Sequence, residues 1–191
     1  HNFQHFFRPK QFAKYRKVIM KAFHIDLMQY DNYTPFYINS LLADLALKKS
    51  YNLALDHDLW QFANENGKEM SGVESFEDQV NILSQIPIEH QVKSFKSTVK
   101  NVSAFKHKLK SLNLMYVNDQ ADQLYKSSKK SMGKLRKLMI YDRNKHMVDR
   151  ILELSVNKTS FFAIGAAHFP GGKGILALLK KEGFKIVKLS T

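Results

Sequence analysis

Between positions 88 and 112 the apolar side chains Ile88, Val92, Phe95, Val99, Val102, Phe105, Leu109 and Leu112 advance by threes and fours. That spacing follows the helical turn and gathers all eight on one face, which a strand with its strict alternation cannot do. The stretch therefore reads as one long amphipathic helix or two in line, and its apolar face demands other helices to cover it. The chain supplies them. Residues 11–23 put Phe12, Tyr15, Ile19 and Phe23 on one side, with Lys14, Arg16, Lys17 and Lys21 mostly opposite. Thr34 and Pro35 give a cap and a first-turn proline to a helix over 36–49, with Leu41, Leu42, Leu45 and Ala46 as its buried stripe and lysines closing it. LDHDLW opens the next helix, with Asp56 as cap and Leu55 stapling onto Trp60, and it ends at the Asn66-Gly67 turn. Residues 114–126 start a further helix with Asn118 as candidate N-cap, and Gly133 separates it from a last long helix over 134–156.

Three shorter segments break this pattern. Residues 68–73 read as a strand that stops at Glu74, just before Ser75 and Asp78 at capping-box spacing. Residues 160–166 contain the aromatic, apolar run 161–164, and the small residues Gly165, Ala166 and Ala167 lead from it to His168. A Pro170-Gly171-Gly172 turn, a short helix through Ile175, Leu176, Leu178 and Leu179, a helix-ending Gly183 and an alternating segment 184–189 follow. The fold class read from this is α+β, predominantly helical with a small β-sheet, its strands near 68–73, 160–166 and 184–189.

With 191 residues the chain is one domain, 1–191, able to bury roughly 70% of its unfolded surface. It has no cysteine, which excludes disulfides, thiolate nucleophiles and cysteine-based zinc sites. No apolar run approaches the roughly 18 residues of a membrane span. The start HNFQHFFRPKQF lacks a signal-peptide pattern and an initiator Met, so the chain reads as a fragment or as a product with its front removed. A net charge of +13 invites a nucleic-acid reading. The lysines are spread over many segments, however, and the densest cluster, 126–137, reads as a solvated face, so no nucleic-acid partner is expected. Asp56, His57 and Asp58 are consecutive and diverge around a helix, which favours capping over metal binding, and His1, His5 and His24 have no partners at ligand spacing.

Two positions carry the chemistry. Arg143 lies on the ridge Met139, Arg143, Met147, Ile151, so a permanent charge sits in an apolar stripe and needs an acidic partner, with Glu74 as first choice. His168 stands alone beside apolar residues, as structural histidines do, but three small neighbours leave room around its ring and the following turn keeps its approach open. A half-exposed site histidine whose removal costs little stability is expected.

GAAHFPGGKGILALLKKEGFKIVKL resembles the C-terminal motif of the TraB/GumN family, related to the pheromone-shutdown TraB/PrgY proteins and the Tiki-type metalloproteases; Gly165, His168, Pro170, Gly171, Gly174, Leu179, Gly183 and Phe184 match it. LDHDLWQFANENGKEMSGVESFEDQ is similar to the family's middle, with Glu74 and Gln79 matching and Val73 in place of Leu, and YDRNKHM supplies Arg143, Asn144 and Met147. The resemblance implies an α+β domain whose complete form is a metal-dependent, peptidase-like hydrolase acting on a peptide or protein, with an exported or membrane-attached setting favoured. It implies His168, Glu74 and Arg143 as catalytic residues, Asn144 and Gln79 as substrate-binding residues, and His168 and Glu74 as ligands of a divalent metal ion. The family's other Gly-x-x-His does not occur here, so half of the expected site is missing. The alternative is a non-catalytic protein that sequesters a peptide in a helical groove.

Overall fold

A computed structural model describes residues 2–47 and 54–189. Among these are nine α-helices: α1 (Pro9–Phe23), α2 (Pro35–Ala46), α3 (Leu55–Glu65), α4 (Phe76–Ser84), α5 (Ile88–Lys100), α6 (Val102–Val117), α7 (Ala121–Met132), α8 (Arg143–Leu154) and α9 (Ile175–Lys181). The chain divides into two compact units, His1–Ser50 with Ile86–Leu114, and Tyr51–Gln85 with Met115–Thr191.

In the first unit, α1 begins on a first-turn proline and ends where His24 turns left-handed, at φ 59°. Its buried face, Phe12, Ile19 and Phe23, meets Phe3, Phe7, Leu27, Ile38, Leu42, Phe95 and Val99 in one core. Aromatic rings dominate it, with Phe3 perpendicular to Phe95 at 5.0 Å. Thr34 caps α2 as expected, accepting from the Tyr37 N–H at 3.2 Å. The buried stripe differs, because Ile38 and Leu42 point inward while Leu45 is exposed. The closing lysines Lys48 and Lys49 lie outside the described residues. Gln91 fastens α2 to α5. Its buried carboxamide accepts from the Phe36 N–H and donates to the Ile86 carbonyl, so its polar atoms are satisfied in the core. The long periodic stretch is two successive helices, since Asn101 leaves helical geometry and its Oδ1 caps α6 through the Ala104 N–H.

In the second unit, α3 starts at Leu55, with Ala54 as N-cap and Asp56 inside the first turn. A staple requires its apolar residue to precede the cap, and here Leu55 is already helical; it and Trp60 are both exposed. The Asn66-Gly67 turn forms, with Gly67 at φ 61°. Ser75 and Asp78 make the reciprocal capping box of α4. A separate helix starting at 114 does not form. Instead α6 continues to Val117, Asp119 turns left-handed, and α7 begins at Ala121. Nor is 134–156 one α-helix, because Lys137–Asp142 is a π-helical turn that feeds into α8. The core of this unit is Met147, Val148, Ile151, Ile175 and Leu179.

The expected β-sheet is absent, and the described residues contain no strand. Segment 160–166 does present alternate side chains inward, with Phe162 and Ile164 packed on the α8–α9 core and Phe161 exposed, whereas 68–73 and 184–189 each contribute one side chain to that core, Val73 and Ile186, and leave Val187 and Leu189 exposed. No backbone hydrogen bond joins any two of them. An apolar alternation fixes which side chains face the core, whereas a sheet also needs a neighbouring backbone in register, and these segments do not provide it for one another. The described residues are therefore all-helical with extended connections.

Candidate functional site

The site is built on the glycine-bounded loop between residues 165 and 174. Ala166–His168 form one 3-10 turn, closed by the His168 N–H donating to the Gly165 carbonyl at 2.9 Å. Gly174 closes the loop at the start of α9, and a β-carbon there would collide with the carbonyl oxygens of Phe169 and Pro170. Gly171 adopts φ 86° with the Tyr125 hydroxyl against its α-carbon, so only glycine suits that position.

This loop presses His168 onto α8. His168 is 7% exposed rather than half-exposed, and Asn144, itself fully buried, reaches its ring from the helix. Asn144 Nδ2 donates to the His168 carbonyl at 3.1 Å and to the Lys173 carbonyl at 2.8 Å. Two carbonyls can only accept, so the carboxamide has one possible orientation, with Oδ1 toward the ring. Nδ1 of His168 lies 2.6 Å from that oxygen and must carry the proton. The tautomer follows from geometry: Nε2 holds a lone pair, and no described residue hydrogen-bonds to it. Burial, and then the nearby Arg143 charge, push the ring's pKa down to about 4 against a smaller opposing pull from Glu74, so the imidazole is neutral at physiological pH. Removing this ring would strand a buried Oδ1 without a donor, and the expectation of a nearly free His168→Ala change is corrected.

Arg143 does meet Glu74. Nε donates to Oε1 at 2.8 Å and Nη2 to Oε2 at 2.6 Å, a two-point fork between side chains 19% and 7% exposed. Nη1 turns back to the Met139 carbonyl at 3.3 Å across the π-helical turn. That turn changes the register between Met139 and Arg143, while within α8 Arg143 keeps the four-residue spacing to Met147 and Ile151. Through their fields both ions reach His168.

The remaining expected residues divide. Asn144 belongs to the site, but its amide is engaged within the protein and orients His168. Gln79 lies on an exposed part of α4, and no contact brings it to His168. No group of three or more His, Asp or Glu side chains able to hold a metal occurs among the described residues. Sequence reasoning also missed Arg136. Its lysine neighbours in 126–137 are solvated as expected, whereas Arg136 is buried among Tyr125, Ser128 and Tyr141. Leu135 and Leu138 on either side, and an arginine amid lysines, were the available signal.

Fold and site thus define a helical protein that holds one neutral, tautomerically fixed histidine beside a largely buried arginine–glutamate fork. The chain belongs to the TraB/PrgY/gumN family, whose profile matches residues 2–188. It is similar to the metalloprotease TIKI2 of Danio rerio, 40% identical over 55 residues that make up 27% of this chain and 11% of that protein. A metalloprotease TIKI homolog of Nematostella vectensis is 34% identical over 80 residues, 40% of this chain and 17% of the relative. Human metalloprotease TIKI1 is 40% identical over 55 residues, again 27% and 11%. The matches thus span less than a fifth of each relative's length. No solved structure matches the chain.

Proposed function

We propose that this chain contributes the histidine of a metal-dependent, peptidase-type hydrolytic site. The observation that carries the reading is the Asn144-fixed tautomer, which gives a buried, neutral imidazole with its Nε2 lone pair free; histidines that ligate metals are oriented by such a partner on the other nitrogen. The low basicity of the ring suits a lone-pair donor that ligates or orients, rather than a base that must carry a proton near neutral pH. Relatives that are metalloproteases by name support the same reading.

The donor set fits a metal ion only in part. His168 Nε2 is one free ligand, while both oxygens of Glu74 already accept from Arg143, and catalytic zinc takes about three protein ligands. A divalent ion bound there would polarise a carbonyl or activate water. What these residues do themselves is narrower: Asn144 holds the ring, and the Arg143–Glu74 fork keeps a fixed pair of charges beside it. A peptide or protein substrate, and an exported or membrane-attached setting, belong to this proposal through the family. No helix among the described residues is long and apolar enough to cross a membrane.

The test is a titration of the protein with Zn²⁺, Mn²⁺ and Co²⁺, read by the His168 ring nitrogens and by peptide cleavage. Expected are a perturbed Nε2, a retained Nδ1 proton, and metal-stimulated cleavage lost in His168→Ala. An unperturbed Nε2 with all three metals, or cleavage that survives the substitution, overturns the proposal. The sequestering alternative rests on a groove of about 870 Å³ in the first unit, lined by Phe7, Phe12, Met20 and Met28 with Arg16 and Lys21. It requires peptide binding, unaffected by His168→Ala, without cleavage.

A further inference from the structure

Arg136 is 3% exposed, and no carboxylate faces it among the described residues. Its Nε donates to the Tyr141 hydroxyl at 2.8 Å and its Nη1 to Ser128 Oγ at 2.9 Å, while the guanidinium carbon lies 4.3 Å from the centre of the Tyr125 ring. Nη2 is buried and without an acceptor. A guanidinium cannot discharge itself by losing its proton, so this is a buried positive charge held by neutral groups alone. Such a charge is strongly unfavourable unless an anion answers it.

A second cation stands nearby. Lys173 is exposed, and its Nζ lies 5.1 Å from the centre of the Tyr141 ring. Its carbonyl is gripped by Asn144, the residue that orients His168, so Lys173 is placed by the same loop. The Tyr141 oxygen is held by Arg136 and by the Tyr125 side chain, both of which favour negative charge on it, and as a phenol it still has one O–H to donate.

We propose that Lys173, the Tyr141 hydroxyl and the charge of Arg136 beneath them form an anion subsite beside His168 that takes a peptide carboxylate. The carboxylate meets Lys173 and Tyr141 first, and Arg136 supplies the field that a neutral floor would lack. Its place in function rests on the peptidase reading, where it anchors the substrate next to the imidazole. The carboxylate comes either from a peptide C-terminus or from an acidic side chain.

Three peptides used as binding probes separate these sources: N-acetyl-trialanine with a free C-terminus, the same peptide amidated, and N-acetyl-Ala-Glu-Ala amide. Titrations are followed at the Lys173 amide and the Arg136 Nε–H by NMR. One or both carboxylate probes shift these signals and the neutral amide does not; which of the two does so names the source. Lys173→Met weakens that binding about fivefold, and Tyr141→Phe, which keeps the ring, weakens it as well. Binding is read without any turnover, so the result stands or falls independently of the peptidase reading. Equal response to the neutral amide, no response to either carboxylate, or unchanged affinity in both Lys173→Met and Tyr141→Phe overturns the assignment.

Discussion

His168 and Arg143 show how neighbours decide what a residue can do. The fork on Glu74 takes both charges largely out of water, so breaking it leaves an acid with neither solvent nor partner. Arg143→Met is expected to lower stability by about 3 kcal/mol in urea unfolding. Arg143→Lys should also lose stability, because a point charge replaces the planar fork. Unchanged midpoints for both would show that the fork contributes nothing. His168 makes a prediction in pH. Its folded pKa of about 4 lies below the ordinary value of 6.5, so unfolding takes up a proton between these limits. The contribution is constant above pH 6.5 and is lost as pH falls toward 4, by about 3 kcal/mol in all. It appears as the difference in pH profile between the wild type and His168→Gln, with ring signals that do not titrate above pH 5. A ring midpoint near 6.5 would mean that the imidazole is solvated.

Elements hold these residues in place, and here the loop between α8 and α9 matters most. A β-carbon at Gly174 meets two backbone oxygens of its own loop, and backbone cannot swing aside as a side-chain tip does. Gly174→Ala should therefore move the Phe169-Pro170 segment, cost about 2 kcal/mol or more, and break the short Nδ1 contact with Asn144, seen as a mixture of ring tautomers. A single tautomer in Gly174→Ala would contradict this. The Pro170-Gly171-Gly172 turn was legible in the sequence, as were the α4 capping box, the α1 face and the choice of Glu74 for Arg143, because each depends on residue types at short spacing or on an evident missing charge; the crowding at Gly174 was not, and the close approach expected at Gly165 is an ordinary contact. The strands were misjudged for the converse reason: alternation describes burial in 160–166 and only Ile186 in 184–189, and pairing is a property of a second backbone. Asn144 as the holder of His168 comes from a packing of α8 against the loop that no local pattern encodes, and Arg136 as a buried cation was signalled only by Leu135 and Leu138 on either side of it.

At the scale of the molecule, net charge sets how stability responds to salt. Thirty basic residues against seventeen acidic ones leave +13, an excess that remains after pairs such as Arg16–Asp26, Lys137–Asp142, Lys158–Glu69 and Lys188–Asp119 are counted. Each such pair is worth about 0–1 kcal/mol, and salt weakens it. The repulsion among the remaining cations grows as the square of the net charge, and salt weakens that as well. Raising NaCl from about 0.02 to about 0.3 M shortens the screening length from roughly 20 to roughly 6 Å, comparable to contact pairs but far shorter than the spacing of dispersed lysines. Repulsion should therefore be relieved more than attraction is lost, while the Arg143–Glu74 fork, shielded from water, changes little. The expected outcome is a thermal midpoint that rises with salt in the wild type and by the same increment in Arg143→Met. A midpoint that falls with salt would show that specific pairs outweigh net charge in holding the fold together.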